Sequence, residues 1–372
     1  MHFYHYHLEK DSENKIRCLK KTVFLRNQRH IMKLRSIPYL FLYFPLTSYS
    51  QEVIADHNRY LEEEENKISL VAGVSYINNS FGLRFERQVF RLKPNDSFYT
   101  ELFLRYRWLD TSISFTPKLI KINNDDDVKG KTKYFNVNFA FFLTPKLRQM
   151  LGYNQIRGLY FQDTKKYMSL LLQGIDVNLS DGYIQFPDAN YRSFKGETSY
   201  LWIGDKENYR SFTNMTYKPL KNEFVVITGL FYQYNILTDS DRAVYLGEVL
   251  DGGGGSSATK DIRLALRTGA GIQRVIKTNW YAVVELYPQL NYSKLIDEDF
   301  HEFNIGVNSN VRIGYDNGKW FIGAGTQLNW VNSSNVNFYS TTQWQFRAGI
   351  GLRFNSPKFI NKNFDKIEHI IK

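Results

Sequence analysis

The sequence predicts an all-β chain closed as an antiparallel transmembrane β-barrel of about 12 (12–14) strands, of the outer-membrane type. Three observations predict it: an export signal near the N-terminus, period-two runs longer than soluble strands need, and connections that alternate between long and short. Composition agrees. The 28 Phe, 26 Tyr and 6 Trp make 16% of the 372 residues, yet mean hydropathy is −0.42, too polar for a bundle of transmembrane helices. Strands with one face toward lipid and one toward water give that combination.

The export signal does not begin at residue 1. From Met32 the chain runs Met32-Lys33-Leu34-Arg35-Ser36, then an apolar core from Ile37 to Leu46, then Thr47-Ser48-Tyr49-Ser50. A basic start, a short apolar core and small residues at the end make a secretory signal peptide over residues 32–50, cleaved before Gln51. A membrane anchor is the alternative. The charge-free run from Ser36 to Gln51 holds 16 residues and two prolines, short of the roughly 20 apolar residues of a spanning helix. Residues 1–31, His-rich and basic, then lie upstream of the true start.

Removing residues 1–50 takes nine of the 48 basic and three of the 37 acidic residues, leaving a net charge of +5 in place of +11. Nucleic acid is therefore not an expected partner. The single cysteine, Cys18, leaves as well, so the exported chain has no disulfide or thiol chemistry. His57, His301 and His369 remain without ligand spacing, and neither a metal nor a cofactor is expected.

The C-terminal third alternates most clearly. Phe303, Ile305, Val307, Val311, Ile313 and Tyr315 interleave with Asn304, Gly306, Asn308, Asn310, Arg312 and Gly314, a period of two. Asp316-Asn317-Gly318 follows, a tight hairpin signal because Asn-Gly tolerates positive φ. Trp320 to Trp330 returns on consistent faces, and the last strand sets Trp344, Phe346, Ala348, Ile350, Leu352 and Phe354 against Gln345, Arg347, Gly349, Gly351 and Arg353. Ile262 to Ile272, Trp280 to Tyr292, Ile68 to Tyr76, Phe81 to Val89 and Phe98 to Trp108 alternate too. After Trp108 the parity flips, which predicts a reversal near Leu109-Asp110 and a new strand through Thr116.

A secreted soluble β-sandwich would also alternate, but its strands average about five or six residues, whereas these run 11 to 15. Working back from Phe354, the gaps fall near 332–340, 316–318, 294–300, 276–278, 238–260 and 218–222, alternately long and short. Barrels of this kind have long external loops and short periplasmic turns, which puts Phe354 on the periplasmic side. The barrel then spans residues 66–354, preceded by an acidic periplasmic lead-in at 51–65 and followed by a basic periplasmic tail at 355–372. In that tail Ile360, Phe364, Ile367 and Ile371 have the spacing of an amphipathic helix. Residues 145–195 show no sustained period. The run from Lys118 to Lys131 falls on the periplasmic side only if every earlier strand is real, so one strand there is open to miscounting.

The polar faces carry Arg84, Glu86, Glu101, Arg105, Arg107, Arg263, Arg267, Glu285, Arg312, Arg347 and Arg353. They imply either an anion-favouring lumen or an interior filled by salt-bridged side chains. Trp280, Tyr292, Tyr315, Trp320, Trp330, Trp344 and Phe354 are the expected membrane-interface aromatics. A lipid or ester hydrolase is the alternative from another class. It would need His301 working with Asp297, Asp299 or Ser309. Gly252-Gly253-Gly254-Gly255 lacks a following Lys-Ser or Lys-Thr and reads as a flexible loop rather than a phosphate cradle. No catalytic residue is assigned. Expected partners are outer-membrane lipid, the barrel assembly machinery during biogenesis, and a small solute or surface ligand.

Several short pieces resemble a family of uncharacterised Bacteroidetes outer-membrane barrels, a domain of unknown function. They are Lys93-Pro94-Asn95, the Trp108 to Pro117 segment, Lys129-Gly130-Lys131-Thr132-Lys133, Arg157-Gly158-Leu159-Tyr160 and Phe186-Pro187-Asp188, then Tyr209-Arg210, Asn279-Trp280 and Gly351-Leu352-Arg353-Phe354. Their order spans nearly all of the exported chain. Tyr209 to Gly229 departs most, with Met215-Thr216-Tyr217-Lys218-Pro219-Leu220 standing where the family has a Gln- and Ser-rich run. The resemblance implies location and fold, and no activity.

Overall fold

The computed structural model describes residues 66–85, 88–95, 98–117, 125–171, 182–213, 215–250, 258–296, 300–332 and 342–371. All belong to one compact unit, Ile54–Lys372. The upstream segment, the signal peptide, the acidic lead-in, Glu86, Asp297, Asp299 and the tetraglycine lie outside the described residues.

Twelve strands close into a ring: β1 (Lys67–Asn78), β4 (Phe98–Tyr106), β5 (Leu109–Phe115), β6 (Lys133–Thr144), β7 (Leu147–Phe161), β8 (Gln185–Ile203), β9 (Glu223–Thr238), β12 (Thr259–Ile276), β13 (Trp280–Leu295), β14 (Phe300–Asp316), β15 (Trp320–Val331) and β16 (Thr342–Asn355). Each pairs antiparallel with the next, and β16 closes on β1 from Lys67↔Asn355 to Asn78↔Trp344. Among the described residues, four shorter strands stand outside the ring. The hairpin of β2 (Phe81–Phe85) and β3 (Gln88–Lys93) pairs with the end of β7, and β10 (Ala243–Tyr245) with β11 (Glu248–Leu250) pairs with the start of β8.

This corrects the reading of Phe81–Val89 as a wall strand. The segment is split between two short strands that fold back on each other, and alternation alone does not distinguish a loop hairpin from a wall strand. Removing that strand from the count brings the 116–132 connection to the long-loop end. Its short α1 (Asp126–Lys129) lies there.

Side chains follow the pleat. Leu70, Leu102, Leu104, Ile113, Phe135, Leu151, Phe194 and Leu230 face outward and exposed, while Ser69, Glu101, Ser112, Asn136, Ser193 and Asn235 face inward and buried. An apolar outside around a polar inside is stable only with lipid as the surrounding solvent. Aromatic residues mark both ends of the outward face. At one end Trp280 stacks near Tyr315 (5.3 Å) and Tyr315 near Trp320 (5.0 Å). At the other, Tyr292 meets Phe303 (4.8 Å) and Trp344 meets Tyr76 (5.4 Å). Along β13 twelve residues separate Trp280 from Tyr292, about 40 Å of strand and about 30 Å of height at a tilt of about 40°.

The turns at Arg107-Trp108, Pro145-Lys146, 277–279 and 317–319 are short and share one end, here the inner end, the end that short turns mark in barrels of this kind. Arg107 and Lys277 take positive φ (51° and 61°) and Gly318 takes 87° to make three of them. One connection at this end breaks the rule. Residues 204–222 join β8 to β9 and include a helix, α3 (Lys206–Thr213), where the alternation predicted a turn at 218–222. The longer α2 loop (helix Thr164–Leu171) joins β7 to β8 at the outer end, and α4 (Lys358–Ile371) follows β16. That last helix packs on the inner rim, with Phe364 against Tyr106 (4.6 Å) and Trp108 (5.6 Å).

Candidate functional site: a chamber between two closures

The 204–222 connection folds up into the barrel. Its helix is too short to stand alone in water and is held by packing: Tyr209 and Phe212 join Leu201, Val225, Ile227, Tyr281 and Val283 in a buried cluster on the β8, β9 and β13 walls. Gly271 makes room for it, since a Cβ there would press on the Phe212 ring at 2.9 Å. Polar contacts add to this. Ser211 donates to Gln273, the Gln273 amide donates to the Lys221 carbonyl (3.0 Å), and Tyr209 shares a hydrogen bond with Ser199 (2.8 Å).

The opposite walls hold the plug with arginines. Arg105 of β4 and Arg353 of β16 both donate to the Thr216 carbonyl, at 2.9 and 2.8 Å, and Arg312 of β14 donates to the Phe212 carbonyl. A carbonyl has two lone pairs and can accept both donors. Arg353 is also fixed by two bonds of 2.6 Å to Asp316, both side chains fully buried, and Arg105 stacks 3.9 Å over the Tyr217 ring. At the plug's base Lys221 bonds Asp205 at 2.6 Å, which raises the Lys221 pKa. Burial pushes the Tyr217 hydroxyl up to about 12, with Asp110 adding and Arg105 opposing. It does the same to Tyr209, against the hydrogen bond from Ser199.

The outer end is covered differently, and on the β1–β9 side only. Ile77, Tyr99, Tyr134, Ile156, Tyr191 and Leu237 point inward from six strands and pack with Phe81, Leu92, Leu159, Phe161, Ile184 and Ala189. Asn95 ties this lid together: its backbone N–H donates to Thr132 (2.9 Å) and its amide to the Gly130 carbonyl (2.8 Å) and Asp126 (3.0 Å). Thr132 in turn donates to the Gly158 carbonyl (2.7 Å). Gly158 sits in a bulge of β7 at φ 84°, where a Cβ would run into the Lys131 carbonyl.

Between plug and lid lies a cavity of about 520 Å³. Its floor is Phe212, Thr213, Met215 and Thr216, and on the β13–β16 side it reaches the outermost rungs at Lys294, Glu302 and Gln343. Of the predicted inward charges, Glu101, Arg263, Arg267, Glu285, Arg312 and Arg347 line it, and Arg105 and Arg353 grip the plug below. Arg107 does not face the interior. The reversal at residues 107–108 turns it out to Asp365 of α4 at 2.7 Å. Arg84 is on β2, outside the wall.

The arginine excess read from sequence disappears inside the chamber. Acids outside the predicted set, Asp110, Glu197, Asp261 and Glu302, bring acidic and basic lining residues nearly to parity. Arg267 pairs with Glu197 (3.1 Å), Arg312 with Glu285 (3.5 Å), Arg347 with Glu101 (3.6 Å) and Arg263 with Asp261 (3.5 Å). Lys195 and Glu197 fell in or beside the stretch without a sustained period. Once β8 is known to run to Ile203, the parity of Phe194 and Tyr200 marks both as inward.

Of the residues named for a hydrolase centre, His301 and Ser309 are described and do not come together. His301 pairs with Lys294 one rung in from the outer end of β14 and is exposed. Ser309 is eight residues further along the same strand, about 26 Å away, on the outward face with Val311 and Ile313. Among the described residues no group of His, Cys, Asp and Glu is placed to hold a metal ion.

No curated protein matches the sequence. Among solved structures the chain is similar to the translocator domain of the autotransporter NalP from Neisseria meningitidis, with 9% identity and TM-score 0.42 over 80% of this chain and 94% of that one. It is also similar to the outer membrane protease OmpT from Escherichia coli (8%, 0.30, 78% and 97%) and to the toluene transporter TodX of P. putida (7%, 0.30, 78% and 90%). The family described as Domain of unknown function (DUF4421) matches residues 55–354. That range contains every strand of the ring to within one residue of its end, and the chain belongs to this family.

Proposed function

We propose that this outer-membrane barrel is closed at its inner end by its own 204–222 turn, leaving an outward-facing chamber that binds a small solute rather than passing solutes freely. The observation that carries this is the convergence of Arg105, Arg312 and Arg353, from three separate strands, on two backbone carbonyls of the plug. Charge-assisted bonds in a buried place are among the stronger polar contacts, and an open pore has no use for them. The signal peptide would export the chain, the barrel assembly machinery would insert it, and lipid would cover the apolar outer face between the aromatic belts. Exposed Lys358, Lys362 and Lys366 of α4 would then meet anionic headgroups at the inner rim.

Planar-bilayer recordings of the refolded protein test this. The intact barrel should be electrically silent, and replacing residues 205–221 with a two-residue turn should produce discrete conductance steps. Steady conductance from the intact barrel would replace the reading with one of passive passage.

A further inference from the structure

We infer that the chamber is a binding site for an uncharged polyhydroxylated ligand of mono- or disaccharide size. This rests on the reading of the barrel as closed at its inner end, since a closed chamber retains what an open lumen would release.

Charge weighs against an ionic ligand at most of the chamber's arginines. Three ion pairs tie one strand to another and a fourth, Arg263–Asp261, lies along a single strand, so that Arg263, Arg267, Arg312 and Arg347 each lie within 3.6 Å of a carboxylate. Arg148, Lys195 and Lys294 are the other lining cations. At these four arginines an anionic ligand would have to displace an existing partner, leaving a buried charge uncompensated.

Much of the remaining polar lining is amide, set among aromatic and aliphatic side chains. Among its polar groups, asparagine and glutamine are as numerous along the cavity as charged side chains, and serine and threonine are fewer. An amide both donates and accepts, which matches a ligand whose every hydroxyl does the same. An apolar ligand would leave these groups desolvated and unpaired.

One patch concentrates this chemistry. Asn136 and Asn154 are register partners on β6 and β7, and Asn138 follows on the same face. The side-chain oxygen of each is shielded and has no hydrogen-bond partner. With any amide reversed the unused group would be the nitrogen, so the spare capacity remains in either orientation. Tyr134 and Tyr191 border the patch toward the lid, with Phe81 stacked 4.6 Å from Tyr191. A flat apolar face beside a row of amides suits a pyranose, which has a C–H face and a hydroxyl edge. The volume, about 520 Å³, falls within the roughly 300–1,000 Å³ of small-ligand sites.

The test is titration calorimetry on the full exported chain in an amine-oxide detergent, which carries no sugar headgroup. Glucose, maltose and lactose would be the probes, with gluconate and toluene as charged and apolar comparators. At least one neutral sugar should saturate the protein, at least tenfold tighter than either comparator. Asn136→Leu with Asn154→Leu should weaken it tenfold or more. Should that pair fail to fold, Asn136→Ser with Asn154→Ser keeps the polarity and should weaken binding severalfold. Equal or tighter binding of gluconate or toluene would overturn the inference, as would no saturation by any sugar. The bilayer recording separates the two readings. A silent barrel that ignores all three sugars sinks the ligand class alone, whereas a conducting barrel whose current maltose blocks sinks the closure and keeps the ligand class.

Discussion

The inner end of this barrel is plugged and its outer end is covered on one side only, and the two use different chemistry. At the outer end six strands contribute inward-pointing apolar side chains, and a hairpin lies on them. At the inner end a turn enters the lumen, packs Tyr209 and Phe212 against one wall, and is tied to the other by arginines that reach its carbonyls. Apolar packing is cumulative and non-directional, so no single outer side chain should be decisive. Charge-assisted hydrogen bonds are few, directional and buried, so the inner closure concentrates its strength in a handful of groups. The pieces of sequence that resemble the family sort along the same division. Asn95, Lys129 to Lys133, Arg157 to Tyr160 and the Phe186 to Asp188 run meet at the lid, where Arg157 bonds Asp188 and Lys93 pairs with Tyr160. Tyr209-Arg210, Asn279 and Arg353 meet at the plug.

The sharpest way to break the contrast is Arg353→Ala. It removes two bonds to Asp316 and one to Thr216, and leaves a fully buried carboxylate without its cation, a loss of about 3–5 kcal/mol. Conductance steps should appear, and the unheated band should convert to the unfolded form at lower temperature. At the other end Leu92→Ala removes a fully buried lid side chain and should cost about 2–5 kcal/mol of local stability. Its readout is external: limited proteolysis should cut within residues 86–97, while the bilayer stays silent. Conductance from Leu92→Ala would show that the lid, not the plug, closes the barrel.

Most of the wall was legible because a membrane strand carries its own record. Lipid on one face and polar interior on the other impose period two wherever the strand runs, and Asp316-Asn317-Gly318 announces its turn through the φ that Gly318 adopts. The closures were not legible for the same physical reason. Their environment is made by strands distant in sequence, so Tyr209, Phe212 and Tyr217 show no local pattern that distinguishes a plug from a long turn. Two signals were nonetheless present. Gly204 to Asn222 interrupts the alternation at the end where turns are short. Arg105, Arg312 and Arg353 lie at the inner ends of three strands, with more donors than the acids in their own hairpins could use.

Alkaline titration should loosen the inner end selectively. Tyr217 is pushed up to about 12 in place, against about 10 for a free tyrosine. Below pH 10 it is neutral whether the plug is seated or released, and its contribution is fully present. Between pH 10 and 12 the released plug ionises while the seated one resists, so the grip weakens through that window and is lost above it. Conductance of the intact barrel should therefore switch on as pH rises from 10 to 12. Tyr217→Phe should move the onset upward and leave the part due to Tyr209, which is also pushed up to about 12.

The smallest expected effect tests whether burial, not pairing as such, gives the inner closure its strength. Lys221–Asp205 and Arg353–Asp316 are both ion pairs of 2.6 Å at the plug. The first is 42% and 25% exposed, the second 0% and 0%. Water and salt screen the exposed pair, so Asp205→Asn should cost less than about 1 kcal/mol. The cost should vanish in about 1 M salt, where the Debye length falls to about 3 Å. Thermal conversion of the folded band at low and high salt measures it. A loss as large as that of Arg353→Ala, persisting at high salt, would show that the plug is held at its base and that the arginines above it are spectators.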